Sequence, residues 1–504
     1  MIKFSQGEIL FLRERILFME EKRWSDYTFF PRGVAIIGAS PHDIATLAQM
    51  STKIKEKLFL VNPNYREIRG QTCYPNILAI KEPIDYAILV IPALIVPQVL
   101  EECIQKGVKV AQIYSSGFSE TGMGERMALE KKVQEMAAGK IRIIGPNCFG
   151  VYCPQSGLAI IPEAPSTAGR IGVIAQSGSV AESLLYLAFT HNLRFSKVVS
   201  YGNGLDLDAP DFLEYFADDA QTEIIALYIE GTRNPARLKK TLGQVARRKP
   251  VVAIKGGVTS PGIRVAVSHT GSLGGTPEIW QALFKQAGVL EVENFKEMLN
   301  VLVAWDHSFL PSAPAFSIIT NSGGFSVIQT DFALRLGLDI PKFSPETMKA
   351  LRQFVPLAGT SIANPLDAWP IFYSLSAQGN IGEIIKIVAS DPNISSLILH
   401  FDQFRYLRRA LGQEVEKHMK VLIPLMVAGC AWAREKAKKT VFISVSLDPF
   451  LEDKEERYYN LFLKKEFSAK GFPVFASLEE AIKTLAYLCQ WVVKLHNHPA
   501  ITVN

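Results

Sequence analysis

The feature that most constrains this 504-residue chain is a pattern repeated along its length: a short apolar run, a turn of small or polar residues, then a stretch with helical character. Gly33-Val34-Ala35-Ile36-Ile37 runs into Gly38-Ala39-Ser40, Lys57–Val61 into Asn62-Pro63-Asn64, and Asp85–Ile91 into Pro92-Ala93. Lys109–Tyr114 is followed by Ser115-Ser116-Gly117, and Ile141–Ile144 by Gly145-Pro146-Asn147-Cys148. Apolar runs of this length, without alternation, suit strands buried on both faces. Separated by helical segments, they predict a parallel sheet covered by helices on either side.

The pattern restarts twice. Arg170–Ala175 predicts a strand, Gln176-Ser177-Gly178-Ser179 a turn, and Val180–Phe189 a helix; further strands are expected at Lys197–Ser200, Ile224–Ile229 and Val251–Ile254. After the Pro-punctuated linker Leu310–Pro314, Ala315–Ile319, Thr320-Asn321-Ser322-Gly323-Gly324 and Phe325–Leu336 repeat the design. Strands are then expected at Ser396–His400, Val421–Pro424, Thr440–Ile443 and Phe472–Phe475, and a closing helix from Leu478 to about Val493. The Arg- and Lys-rich segment 401–440 is hard to read. A chain of this length is too long for one core. The expected division is an amphipathic helical extension over 1–27, a first α/β unit over 28–160, a second over 165–308 and a third over 314–495.

Ligands of open α/β sheets bind outside the carboxyl ends of the strands, which is where every turn named above falls. Gly38 lets the backbone approach a phosphate, although Gly38-Ala39-Ser40-Pro41-His42-Asp43 lacks the later glycines of a dinucleotide fingerprint, so NAD is not supported. Ser177-Gly178-Ser179 and Ser322-Gly323-Gly324 each put hydroxyls or flexible backbone at a helix start, where N–H groups attract anions. His269 sits in Val265–Gly275, a loop of small residues, where a neutral imidazole can act as nucleophile or proton carrier. The plain alternative is a solvated loop histidine. Glu230, at the end of its strand, would orient the ring if it faces it.

The net charge of +5 favours anionic ligands, but no basic run argues for nucleic acid. The cysteines (73, 103, 148, 153, 430 and 489) have no metal-ligand spacing; no metal site is expected, and reduced thiols point to a cytoplasmic protein. The charged N-terminus is no signal peptide, and the apolar stretch 86–100 is broken by Pro92 and Pro97, so no membrane span is expected.

These blocks have a familiar order. From about residue 28 to 495 the chain resembles the α subunit of NDP-forming acyl-CoA synthetases, the ADP-forming acetate–CoA ligase type, relatives of succinyl-CoA synthetase. The matching blocks are Phe30-Pro31 through Ser40, Val61-Asn62-Pro63, Gly117–Gly122, Gly145–Gly150, Gln176–Ser179, Tyr228–Gly231, Ser268–Leu273, Thr320–Gly324 and Asn364–Asp367. The resemblance implies a Rossmann-like CoA-binding domain followed by two flavodoxin-like ligase domains. It also implies coenzyme A as a substrate held by Gly38, Ala39, Ser40, Val61, Asn62, Pro63, Ile91, Pro92, Ser116, Gly117, Pro146 and Asn147. His269 would be phosphorylated during turnover, steadied by Glu230, with Ser177, Gly178, Ser179, Ser322, Gly323 and Gly324 holding the phosphate.

Acyl-CoA, phosphate and ADP would be interconverted with carboxylic acid, CoA and ATP. No segment resembles an ATP-grasp domain, so ATP, ADP and Mg2+ are expected on a separate β subunit in a hetero-oligomer. The chain departs from the family at Pro41-His42-Asp43-Ile44, at Asn64 where a lysine is common, and at Val258 where an arginine is frequent. A non-catalytic CoA-binding paralogue that scaffolds a partner is the alternative that these departures raise.

Overall fold

A computed structural model describes residues 23–264, 276–356, 360–368, 372, 380–401, 404–447 and 453–496. The described residues build three sheets in chain order. The first contains β1 (Val34–Ile37), β2 (Leu58–Val61), β3 (Glu67–Ile68), β4 (Gln71–Tyr74), β5 (Tyr86–Leu89), β6 (Val110–Ile113) and β7 (Arg142–Ile144). Their order is β3-β4-β2-β1-β5-β6-β7, parallel except for the β3–β4 pair. Every residue of β1 and β5 is buried, which is why these runs are uninterrupted apolar.

The second sheet contains β8 (Gly150–Tyr152), β9 (Ile171–Ala175), β10 (Phe195–Ser200), β11 (Ile224–Ile229), β12 (Val251–Lys255) and β13 (Leu290–Glu291), ordered β13-β12-β11-β9-β10-β8. Its edge strand β8 pairs antiparallel with β10 although it lies within the 28–160 span expected for the first unit. The third sheet, parallel throughout, contains β14 (Phe316–Thr320), β15 (Leu366–Asp367), β16 (Ser396–Phe401), β17 (Thr440–Val445) and β18 (Val474–Phe475), ordered β15-β14-β16-β17-β18. This is the α/β class expected from the repeats.

The topology decides where ligands can go. β1 has β2 on one side and β5 on the other; β9 lies between β10 and β11; β14 lies between β15 and β16. At each of these strands the connections diverge to opposite sides and leave a crevice at the carboxyl end. The turns Gly38–Ser40, Gln176–Ser179 and Thr320–Gly324 follow these three strands directly.

One expected strand is wrong. Val421–Pro424 lies inside the helix Val415–Glu435, with Pro424 in its interior. A run of four apolar residues does not by itself distinguish a strand from a helix. Here Val415, Met419, Leu422, Ile423, Met426 and Cys430 are buried at spacings of one helical face.

Residues 1–22 of the expected N-terminal extension lie outside the described residues. The helix Trp24–Phe29 docks onto the second unit: Phe29 stacks on Tyr215 at 4.6 Å and Trp24 meets Phe212 edge-on at 5.4 Å. The second and third units share a core in which Trp305 and Trp491 meet edge-on at 5.4 Å. All six cysteines are buried and none forms a disulfide. No helix among the described residues is long and apolar enough to cross a membrane.

Candidate active site

The first rim is formed by the loops that follow β1, β2, β5, β6 and β7. Gly38 has φ +89°, and a Cβ there would collide with the Val90 carbonyl, so the position requires glycine. The amides of Gly38 and Ala39 donate to the Val61 carbonyl at 2.9 and 3.2 Å, and Asn62 Nδ2 donates to the Ala39 carbonyl at 2.9 Å. Ser40 N donates to Asp43 Oδ2 at 2.8 Å, and Thr46 N to Asp43 Oδ1 at 2.7 Å. Asp43 thus caps the helix Ile44–Met50, and the turn's amides are already engaged. Pro63 and Asn64 are exposed beside it.

Across the same rim a cleft of about 450 Å³ opens between the ends of β5, β6 and β7. Ile91, Pro92, Tyr114, Ser116, Asn147 and Phe149 are among its walls. Four of the twelve residues that the resemblance assigns to CoA, namely Ile91, Pro92, Ser116 and Asn147, therefore line one cavity. Tyr114 and Phe149 stack face to face at 5.4 Å and 1°. Burial pushes the Tyr114 hydroxyl up to about 12, so at neutral pH it is a hydrogen-bond donor rather than an anion.

Phe149 also faces the second rim: a Cβ on Gly178 would stand 2.9 Å from its ring. The cleft and the Ser177 turn consequently share a wall. The turn heads a fourteen-residue helix, Gly178–His191. The Ser177 and Ser179 hydroxyls lie 2.9 Å apart, and Ser177 Oγ accepts from Val180 N at 3.5 Å. The amides of Gly178 and Ser179 have no hydrogen-bond partner among the described residues.

Behind the turn, the buried Gln176 side chain accepts from the amides of Glu230 and Gly231 at 2.7 and 3.0 Å, which ties the end of β11 to the end of β9. Glu230 is 5% exposed. Its carboxylate accepts from the Tyr228 hydroxyl at 3.0 Å; burial, and then the charge of Glu230, raise the pKa of that hydroxyl. Lys255, 6% exposed at the end of β12, donates to the carbonyls of Glu230 (2.7 Å) and Gly256, and its ammonium lies 5.0 Å from the Trp280 ring centre. Burial lowers its pKa to about 8, against the opposing pull of Glu230. Val258 is exposed in the segment that leads toward His269.

His269 itself, with the whole of 265–275, lies outside the described residues. At the third rim, Ser322 N donates to Thr320 Oγ1 at 3.1 Å, and Gly323 and Gly324 open the helix Gly323–Arg335. A Cβ on Gly323 would stand 2.6 Å from Asp367 Oδ2, so that carboxylate borders the turn. Nothing in the sequence motifs singles out Gln176 as a scaffold, or Lys255, Tyr114 and Phe149 as part of the site. A polar or aromatic residue in the last position of a strand, or the first after it, at a switch point is the signal that would have found Gln176 and Lys255.

A family described as CoA binding domain matches residues 32–154, and one described as succinyl-CoA ligase like flavodoxin domain matches 168–305. The chain is 33% identical over 475 residues to subunit alpha of acetate–CoA ligase (ADP-forming) I from Pyrococcus furiosus, covering 92% of this chain and 96% of that one. It is 39% identical over 346 residues to acetate–CoA ligase (ADP-forming) from Methanocaldococcus jannaschii, covering 68% of this chain and 48% of the other, so it spans about half the length of that relative. A solved structure of dinucleotide-forming acetyl-coenzyme A synthetase 1 from Candidatus Korarchaeum cryptofilum, in complex with phosphate and ADP, superimposes with a TM-score of 0.78. That match has 25% identity and covers 95% and 99% of the two chains.

Proposed function

This chain belongs to the ADP-forming acetate–CoA ligase family, and we propose that it is the CoA- and phosphohistidine-bearing half of such an enzyme, working with an ATP-grasp β subunit that holds ATP or ADP with Mg2+. Phosphate attacks the thioester carbonyl of acyl-CoA at the first rim; the C–S bond breaks and CoA leaves as the thiol. The imidazole of His269 attacks the phosphorus of the acyl phosphate, and the carboxylate departs as the P–O bond breaks. The phosphoryl group then passes to ADP, giving ATP, and the cycle runs in reverse for ligation.

The observation that carries the reading is the shared Phe149 wall. It sets a cleft of a size to take the thiol arm of CoA directly against a turn whose Gly178 and Ser179 N–H groups have no acceptor among the described residues, the kind of helix start that receives an anion. Ser177, Gly178 and Ser179 receive the phosphate, and Glu230 steadies the His269 ring. Ser322, Gly323 and Gly324 supply the second set of donors on the other side of the phosphoryl group. Gly38, Ala39, Ser40, Val61, Asn62, Pro63, Ile91, Pro92, Ser116, Gly117, Pro146 and Asn147 hold CoA. With six unpaired thiols the enzyme fits a cytoplasmic location.

The test is a panel of carboxylic acids with ATP and CoA, given to this chain combined with the ATP-binding subunit. Formation of acyl-CoA with stoichiometric ADP and phosphate is expected for at least one acid. CoA binding by calorimetry without thioester from any acid would contradict the proposal and leave a non-catalytic CoA-binding protein.

A further inference from the structure

The two rims are joined by polar groups that no step above uses. Glu130, in the helix Gly124–Ala137, is 4% exposed and accepts hydrogen bonds from three separate segments. Ser119 N and Oγ donate to it at 3.2 and 2.6 Å from the loop after β6. Asn203 Nδ2 donates at 3.3 Å from the loop after β10, and Arg233 Nη2 at 2.6 Å from the loop after β11.

Glu120 is built in the same way, accepting from the amides of Gly117 and Phe118 at 2.5 and 3.1 Å and from Asn203 Nδ2 at 2.6 Å. Asn203, 2% exposed, also donates its backbone N–H to the Pro146 carbonyl at 3.0 Å, while Arg233 Nε donates to the Asn203 carbonyl at 3.2 Å. Beyond Glu230, the same loop is pinned by Thr232 Oγ1 and Arg233 N, which donate to Asp208 Oδ2 at 2.7 and 3.2 Å.

A buried carboxylate beside a half-buried one is a poor way to glue two units, since apolar contact would do so without the desolvation penalty. Directional hydrogen bonds do something apolar contact does not: they fix register. Here they fix the loops carrying Gly117 and Pro146, on the CoA rim, against the loop that begins with Glu230.

We propose that Glu130, Asn203 and Arg233 are positioning residues that set the CoA rim against the Glu230 loop, so that acyl phosphate formed at one stands in line for the imidazole at the other. The proposal rests on the ligase reading above. Phosphoryl transfer needs its reacting atoms held roughly 3–3.5 Å apart, and a misplacement of about 1 Å slows such a step by about a hundredfold. None of the three is among the residues assigned above to CoA, the phosphate or the imidazole.

His269 can be loaded from either side, by labelled ATP through the partner subunit or by labelled phosphate with the acyl-CoA of the best acid in the panel. In the assembled complex, Arg233→Met and Glu130→Gln are each expected to slow loading from acyl-CoA and phosphate by about ten- to a hundredfold. Loading from ATP should stay within about twofold, kcat should fall more than the KM for CoA rises, and Arg233→Lys should recover most of the loss. The double variant should be no slower than the slower single one, as for residues acting as one unit.

Glu130→Gln keeps the shape of the side chain and serves if Arg233→Met does not fold. Equal losses by both routes, a change confined to the KM for CoA, or wild-type rates in both variants would overturn the proposal. A wild-type complex that loads His269 from neither side would overturn the ligase reading itself.

Discussion

The first and second sheets are built alike at their switch points, a small-residue turn opening a helix, yet the two rims are finished differently. At the first, Asp43 caps a seven-residue helix and the amides of Gly38, Ala39 and Ser40 are spent within the chain. At the second, a fourteen-residue helix starts with amides that no described residue satisfies and with two hydroxyls that meet each other. The difference teaches that a glycine turn at a switch point is a place for an anion only when the chain leaves its donors open. On this account the first rim grips CoA chiefly through the cleft walls, and the second rim carries the phosphoryl chemistry.

Substitutions on the two rims should then behave unequally. The largest effect is expected from Ser177→Ala combined with Ser179→Ala. Removing two hydroxyl donors to a charged phosphoryl group should slow loading of His269 by about a hundredfold, by analogy with oxyanion donors, with CoA affinity unchanged by calorimetry. Ser40→Ala, the matching change on the first rim, should weaken CoA binding by about threefold and leave loading of His269 from ATP within about twofold; an equal loss of loading would break the comparison. Next is Gly38→Ala, which forces a Cβ into the Val90 carbonyl at positive φ. It should destabilise the chain by about 2 kcal/mol in urea unfolding, because the strain belongs to the fold and not to the ligand.

A smaller effect follows from Lys255, whose pKa in the folded chain is about 8, below its ordinary value of 10.5. Its ammonium is therefore present below about pH 8 and lost above it. Between the two values the unfolded chain binds the extra proton, so stability rises with pH in that window while the charge that gathers the Glu230 and Gly256 carbonyls disappears. Loading from ATP should fall about tenfold from pH 7 to about pH 9, and Lys255→Met should flatten that profile. A profile identical in the variant would remove Lys255 from the account. The smallest effect is expected for Asp43→Asn, whose amide oxygen can keep the Thr46 N cap while the Ser40 N bond is given up, and which removes one negative charge from the CoA rim. It should tighten CoA binding about threefold at low ionic strength, a difference of about 0.7 kcal/mol, and less in salt.

Most of the fold was legible because it depends on local signals. β1 and β9 carry no polar side chain, β5 only the Tyr86 hydroxyl and β14 only those of Ser317 and Thr320, and the turns after β1, β9 and β14 are spelled largely in Gly, Ser or Asn. What escaped the sequence is long-range. Asn203 reaches Glu130 across 73 positions, and nothing near either residue announces the other. β8 joins the second sheet through pairing with β10, a choice made by tertiary contacts rather than by its three residues. Asp43 reads as a departure from a family pattern until its oxygens are seen on Ser40 and Thr46. Lys255 reads as the end of a strand until its ammonium is found on the carbonyl of Glu230.

The most direct measurement is to incubate the assembled complex with labelled ATP, digest it without acid, and locate the label by mass spectrometry. The account predicts phosphate on the peptide that contains 265–275, at His269, discharged by acid and CoA together and absent from His269→Ala. A complex that makes acyl-CoA at full rate with no label on that peptide would contradict it.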